Sequence, residues 1–259
     1  MEPLRRLRVE ESMLITLSVF SCALAEPAPA PTATAPATAR HTFPPPAGAR
    51  RVEGDSFANY LRDLRVLPEG TPVTTHAGAV VRRDARVLDL PLVPGDLQQC
   101  ADTAIRLRAE WLRSTGQPVL FHATSGDPMP WERYARGERA RDVGNRLEWR
   151  PSEPSTWEGY LQALFTWAGT ASLAERDTVA DDHPDPGDIL VQPGFPGHAV
   201  ILLDVATTDE ATWVLVGQGY MPAQSLHVEP GPEDGWFAWD DHLELSTWPL
   251  DTALLRRWR

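Results

Sequence analysis

A strongly apolar run in the C-terminal third most limits how this chain can fold. His198-Ala199-Val200-Ile201-Leu202-Leu203-Asp204-Val205 reads as a strand, and Thr212–Gln218 reads as another. A short polar stretch near Thr207–Glu210 joins them, so the two are expected as an antiparallel pair. Asp188–Gln192 and Leu226–Val228 extend the strand pattern. Counting back from the turn puts His198 opposite residues near Gln218. Side chains on one face of such a pair come within reach of each other. A slip of one residue in register would separate them.

Helical signals precede these strands. Ser56–Leu64 is amphipathic, with Phe57, Tyr60, Leu61 and Leu64 on one side. Val80-Val81 and Arg86–Val93 read as strands around a polar turn. After Pro94-Gly95, the residues Leu97, Cys100, Ala104, Leu107 and Trp111 recur at spacings of three and four, which predicts one helical face. Asp96 is the expected N-cap, with Gln99 completing a capping box, and Gly116 is the expected stop. Val119–His122 is a further strand, followed by a polar loop to about Pro154. Ser155-Thr156-Trp157-Glu158 is a second capping box and opens a helix to about Ala174. A polar linker, Glu175–Pro186, leads into the strands. No internal repeat is present. Helices first and strands later predict an α+β fold, with helices packed on one mainly antiparallel sheet. Trp236, Trp239, Trp248 and Trp258 crowd the tail; core is the reading for most of them, and a substrate platform stays open.

The N-terminus carries a different signal. Arg5, Arg6 and Arg8 precede an apolar run from Met13 to Ala25 that ends in Ala23-Leu24-Ala25. That is the form of a secretory signal, and Val19-Phe20-Ser21-Cys22 is a degenerate lipobox with Cys22 as the lipidation candidate. Residues 1–25 are therefore expected to be a signal peptide or lipoprotein signal. Residues 26–50, rich in Ala, Pro and Thr, are expected to be a disordered tether, and residues 51–259 a single α+β domain. The expected location is outside the cytoplasm, in the periplasm or at the cell surface.

Composition narrows function. The 259 residues include 24 basic side chains, all arginine, against 36 acidic ones, for a net charge of −12. Without a basic patch, nucleic acid is a poor partner. No run of 18 apolar residues exists, so a multi-span membrane protein is excluded and only a lipid anchor would tie the chain to a membrane. Two cysteines make neither a disulfide framework nor a Cys-rich zinc site. The histidines lack metal-ligand spacing, and no phosphate loop or GxSxG elbow is present, so neither a metal nor a cofactor is expected.

Cys100, His198 and Gln218 are the candidate catalytic residues. Cys100 falls near a helix start, where an anion is favoured and a thiolate is expected at lowered pKa. It also lies on the apolar stripe, so simple packing is an alternative. His198 sits where the loop Gly194–Gly197 meets the strand, and Gln218 could orient its ring. Gln98, with the Cys100 backbone N–H, is the oxyanion candidate, whereas Gln99 is read as a cap. If the chain is exported, Cys22 is removed or lipidated. Cys100 is then one unpaired thiol in an oxidising setting, which argues against an idle role.

Gly187-Asp188-Ile189-Leu190-Val191 followed by Gly197-His198-Ala199-Val200-Ile201 resembles the histidine region of NlpC-type cell-wall endopeptidases. These papain-like enzymes carry a helix-borne cysteine, a strand-borne histidine and a third polar residue on the next strand. The order Cys100, His198, Gln218 is similar. A wider resemblance, from about Arg51 onward, is to an uncharacterised bacterial family, domain of unknown function 4846, many of whose members look like exported lipoproteins. It is carried by Ser56-Phe57-Ala58-Asn59-Tyr60-Leu61-Arg62, Asp96-Leu97-Gln98-Gln99-Cys100-Ala101-Asp102, Pro196-Gly197-His198-Ala199-Val200 and Tyr220-Met221-Pro222-Ala223-Gln224. Where that family usually has Ala-Gln-Ser, this chain has Gly217-Gln218-Gly219. The resemblances imply an exported protein and, through the local one, a papain-like cysteine hydrolase or transferase acting on cell-wall peptides or acyl groups. The alternative is a non-enzymatic envelope lipoprotein, a binding or scaffold module with an inactive hydrolase-like fold.

Overall fold

The computed structural model describes residues 37–240, 243–250 and 252–259. Cys22, the signal segment 1–25 and the first part of the tether lie outside the described residues. The fold is α+β, built on a large antiparallel sheet. Among the described residues that sheet has nine strands: β1 (Arg50–Arg51), β2 (Arg86–Val87), β3 (Thr178–Ala180), β4 (Ile189–Gln192), β5 (His198–Thr207), β6 (Thr212–Gln218), β7 (His227–Val228), β8 (Trp236–Ala238) and β9 (Leu254–Trp258). Their order is β2-β7-β6-β5-β4-β9-β3, with β1 added to β5 and β8 to β6. The long apolar run becomes the central strand β5, paired with β4 and β6. β6 spans the expected Thr212–Gln218.

The sheet separates two apolar layers. Ala199, Ile201 and Leu203 face helices α2 (Ser56–Arg62) and α3 (Cys100–Ser114), packing with Phe57, Leu61, Ala104, Ile105 and Leu107. Val200, Leu202, Val214 and Val216 face the other way and are covered by Phe237, Leu243, Leu245 and Leu250. A central strand buried on both faces reads as an unbroken apolar run, as this one does. Trp236 is core, while Trp239 and Trp248 pack half-buried on the second layer.

Several expectations need correction. Residues 38–50, assigned to the tether, are packed on the domain. Helix α1 (Ala39–Thr42) buries Ala39, Phe43 is buried after it, and Arg51 pairs with Asp204 of β5. A few apolar anchors and one ion pair, not average composition, hold this stretch. The stretch expected as a polar loop to Pro154 instead holds Pro128–Pro130, which pairs with the expected strand at Leu120–His122, a second hairpin of Glu138–Asp142 with Leu147–Pro151, and a short helix α4 (Trp131–Ala135). Helix α5 (Trp157–Trp167) has Thr156 as N-cap, accepting from the Gly159 N–H at 3.0 Å. It stops short of Ala174: the chain becomes extended at Ala168 and resumes as a turn at Thr170–Ser172 and a π-helix at Leu173–Asp177. No helix among the described residues is long and apolar enough to cross a membrane.

Candidate functional site

Helix α3 begins one turn later than expected. Gln99 is its N-cap, and the Asp102 carboxylate accepts from the Gln99 N–H at 3.0 Å. Asp96 accepts instead from the Ala223 N–H at 2.6 Å and so ties the helix approach to the loop after β6. Cys100 is thereby the first residue of the helix. The helix start is nonetheless buried nearly all round, from Cys100 through Ile105. Burial pushes the Cys100 thiol above its ordinary value, and the Ala199 and helix N–H groups only partly offset this. The lowered thiol pKa expected at a helix start is overturned by desolvation, which penalises the thiolate.

Cys100 lines a cleft of about 260 Å³ with Leu97, Asp102, Thr170, Phe195 and Met221 among its walls. Phe195 stands 87% exposed at this cleft. Two glycines permit close approach here. A Cβ at Gly197 would fall 2.4 Å from Thr170 Oγ1, and one at Gly219 would fall 2.3 Å from Thr103 Oγ1. The chain before His198 and the chain after Gln218 can therefore lie directly against the Thr170 turn and the first turn of α3.

The β5–β6 register pairs Ile201 with Gly217 and Leu202 with Val216. Continuing it sets Val200 opposite Gln218 and His198 on the diagonal, all on one face. His198 Nε2 lies 2.9 Å from Gln218 Oε1. An amide oxygen only accepts, so Nε2 carries the proton and Nδ1 keeps a lone pair. That Nδ1 is buried and has no hydrogen-bond partner, so no hydrogen bond joins it to Cys100. Trp248 stacks on the imidazole at 5.1 Å and Tyr220 meets it edge-on at 5.3 Å. Burial lowers the His198 pKa, against the pull of Gln218 and Glu229. Tyr220 links the two halves of the site: burial and the nearby Cys100 thiol raise its phenol pKa.

Gln98 lies deeper. Its Oε1 accepts from the Val93 N–H at 3.3 Å and from the Arg106 guanidinium, and its Nε2 is buried without a partner. It is not among the residues that line the Cys100 cleft. Two important carboxyls were missed from sequence. Glu229 is fully buried and contacts Arg82, Gln218 and Ser246. The alternation His227-Val228-Glu229 on a sheet strand was a usable signal, because it sets two polar side chains on one buried face. Asp102 was the other, three residues into a helix start.

Burial pushes the Asp102 carboxyl up to about 8, against the Gln99 N–H. A carboxyl raised above its unfolded value near 3.9 stabilises the fold most at low pH and loses that contribution as pH climbs. Asp102→Asn keeps an acceptor for Gln99 and never ionises. Its stability relative to wild type is expected to improve by about 2–3 kcal/mol between about pH 5 and pH 7, at up to about 1.4 kcal/mol per pH unit. Urea melts at both pH values check this; a gap that fails to widen refutes it.

Among the described residues, no group of three or more His, Cys, Asp or Glu is placed to hold a metal ion. The model of the family described as domain of unknown function (4846) matches residues 39–257. No curated protein and no solved structure matches the chain. With nearly all of the described domain inside that match, the chain belongs to the family of domain of unknown function 4846.

Proposed function

We propose that the protein is a cysteine-dependent acyl hydrolase or transferase of papain-like arrangement. Cys100 is its nucleophile, His198 its base and Gln218 the orienter of the ring. The observation that carries this reading is the imidazole. Nε2 is held by Gln218 at 2.9 Å, while the buried Nδ1 is left unsatisfied and the ring meets Tyr220, whose phenol lies near the Cys100 thiol. The buried His227 Nε2 also lacks a hydrogen bond, but it has the Glu229 carboxylate at 3.4 Å; among the described residues His198 Nδ1 has no such partner.

In this reading Cys100 Sγ attacks a carbonyl carbon and its proton passes to His198 Nδ1. The same proton then goes to the departing amine or alkoxide as its bond to carbon breaks, leaving a thioester. Water completes hydrolysis by the reverse relay; another acceptor makes the reaction a transfer. Contacts between nucleophile and base are often long without substrate, so the missing sulfur–nitrogen hydrogen bond fits a resting site. The substrates proposed are cell-wall peptides or acyl groups, in keeping with an exported protein, lipid-anchored at Cys22 or freely secreted. The mature N-terminus, read by mass spectrometry, tests the location.

The missing hydrogen bond and the raised thiol pKa also favour a second reading, a non-enzymatic binding module with an inactive hydrolase-like site. A screen of purified protein against muropeptides and acyl esters separates the two. Turnover abolished by Cys100→Ala supports the enzyme. Binding of wall fragments without turnover, unchanged by Cys100→Ala, supports the module.

A further inference from the structure

Gln218 is held from both ends. Its Oε1 faces His198, and its Nε2 donates to Glu229 Oε1 and, at 2.9 Å, to Thr247 Oγ1. Glu229 is itself fixed. Arg82 Nη1 reaches both of its oxygens, at 3.0 and 3.2 Å, and Ser246 Oγ donates to Oε2 at 3.1 Å. His227 Nε2 stands 3.4 Å from Oε1, with its Nδ1–H spent on the Ser225 carbonyl at 2.9 Å. Glu229, Gln218, His227 and His198 are each at most 1% exposed. Burial alone would raise the Glu229 carboxyl, but His227, Arg82 and Ser246 outweigh it and hold it below the ordinary value.

An ionised carboxylate accepts and cannot donate. It tolerates the NH₂ end of the neighbouring amide and repels the oxygen end. The amide oxygen must then face the imidazole, and the imidazole must present an N–H to it.

We propose that Glu229 is a positioning residue that acts through Gln218: its carboxylate fixes the Gln218 amide, and the amide fixes His198 as the Nε2–H tautomer with Nδ1 free to act as base. This rests on the hydrolase reading for its purpose, though not for its test. The two groups that touch neither substrate nor thiol, Glu229 and Gln218, set which nitrogen of His198 can take a proton. Without the carboxylate, a flipped amide would offer its NH₂ to Nε2. The ring would then carry its proton on Nδ1 and have no lone pair for the thiol proton. His227, Arg82 and Ser246 together keep the carboxylate ionised in a dry site, where a lone charge would be too costly to hold, so the loss of Arg82 alone leaves it two partners.

The test is ¹⁵N NMR of the His198 ring at about pH 8, above the ordinary imidazole range. Wild type is expected to show the Nε2–H form alone. Glu229→Gln presents either an oxygen or an NH₂ to Gln218, so both tautomers are expected to appear. Acylation of Cys100 falls by the fraction lost, about twofold for an even mixture. Arg82→Met leaves the carboxylate against the amide; it is expected to reduce stability without moving the tautomer. An Nδ1–H ring in wild type overturns the proposal whether or not any variant folds. So does a folded Glu229→Gln protein with the Nε2–H form alone, or an Arg82→Met protein whose tautomers mix as in Glu229→Gln. A Cys100 that is never acylated while the tautomers respond as expected sinks the hydrolase reading and leaves Glu229 in its role.

Discussion

Asp204→Ala is expected to cost about 3–5 kcal/mol, a large share of the roughly 5–15 kcal/mol that holds a typical domain folded. Asp204 sits in β5 where the β5–β6 register shifts, and it is 2% exposed. One oxygen accepts from Arg51 Nε at 2.5 Å, and the other from Arg62 Nε at 2.7 Å and the Val205 N–H at 3.0 Å. Arg62 is itself 4% exposed and also donates to the Val52 carbonyl at 2.7 Å. Arg51 Nη2 continues to the Arg40 and Phe43 carbonyls, at 2.9 and 2.7 Å. Alanine would strand two guanidiniums, one of them buried, and leave the segment from Arg40 to Val52 without its anchor. The penalty is chiefly that of uncompensated buried charge, not the net worth of the pair. Replacing all three charged residues with apolar ones of similar volume should therefore recover most of the loss. Urea denaturation measures the cost, and limited proteolysis should cut first within residues 40–52. A loss under about 1 kcal/mol would mean that the node behaves as a solvated surface pair.

The same node shows why part of the fold could not be read from sequence. Arg51 and Asp204 are 153 positions apart, and nothing local marks Arg51 as anchored. A segment of Ala, Pro and Thr looks like a tether until its few anchors are known. The sheet centre was legible because β5 and β6 are long, apolar and joined by a short turn. Counting from that turn was enough to bring His198 to Gln218, which the 2.9 Å contact bears out. Helix α2 and the placement of Cys100 at a helix start were legible for similar reasons. Val119–His122 was legible as a strand, but its partner Pro128–Pro130 and the hairpin Glu138–Asp142 with Leu147–Pro151 were not, since strands of three to five residues with many polar positions leave little periodicity. The thiol was misjudged because a helix end acts locally, whereas desolvation depends on everything packed around Cys100. Glu229 and Trp248 join the site through tertiary contacts, from segments the strand pattern did not connect to His198.

His198→Ala is expected to slow acylation of Cys100 by about 10²–10⁴-fold, the usual contribution of a general base. The reason lies in the resting protonation states. Burial raises the thiol and lowers the imidazole, so the pair is neutral near pH 7 and not a thiolate–imidazolium ion pair. Attack then needs the proton removed as the sulfur–carbon bond forms, and only an unprotonated His198 Nδ1 is available to take it. Wild-type acylation by an activated ester should rise along a single limb as His198 deprotonates, with a midpoint below the ordinary imidazole value of about 6.5. It should not fall at higher pH, because losing the thiol proton only makes the sulfur more nucleophilic. His198→Ala should erase that limb and leave a slow reaction climbing only with thiol ionisation, at alkaline pH. Rapid-quench measurement of the acyl-enzyme across pH distinguishes the cases. A bell-shaped profile falling near about pH 8–9 would indicate a preformed ion pair and contradict the neutral site. Equal rates for wild type and His198→Ala would leave Cys100 as packing. Gln218→Ala should fall between the two, because a ring without its Oε1 partner samples both tautomers yet retains a usable base in part.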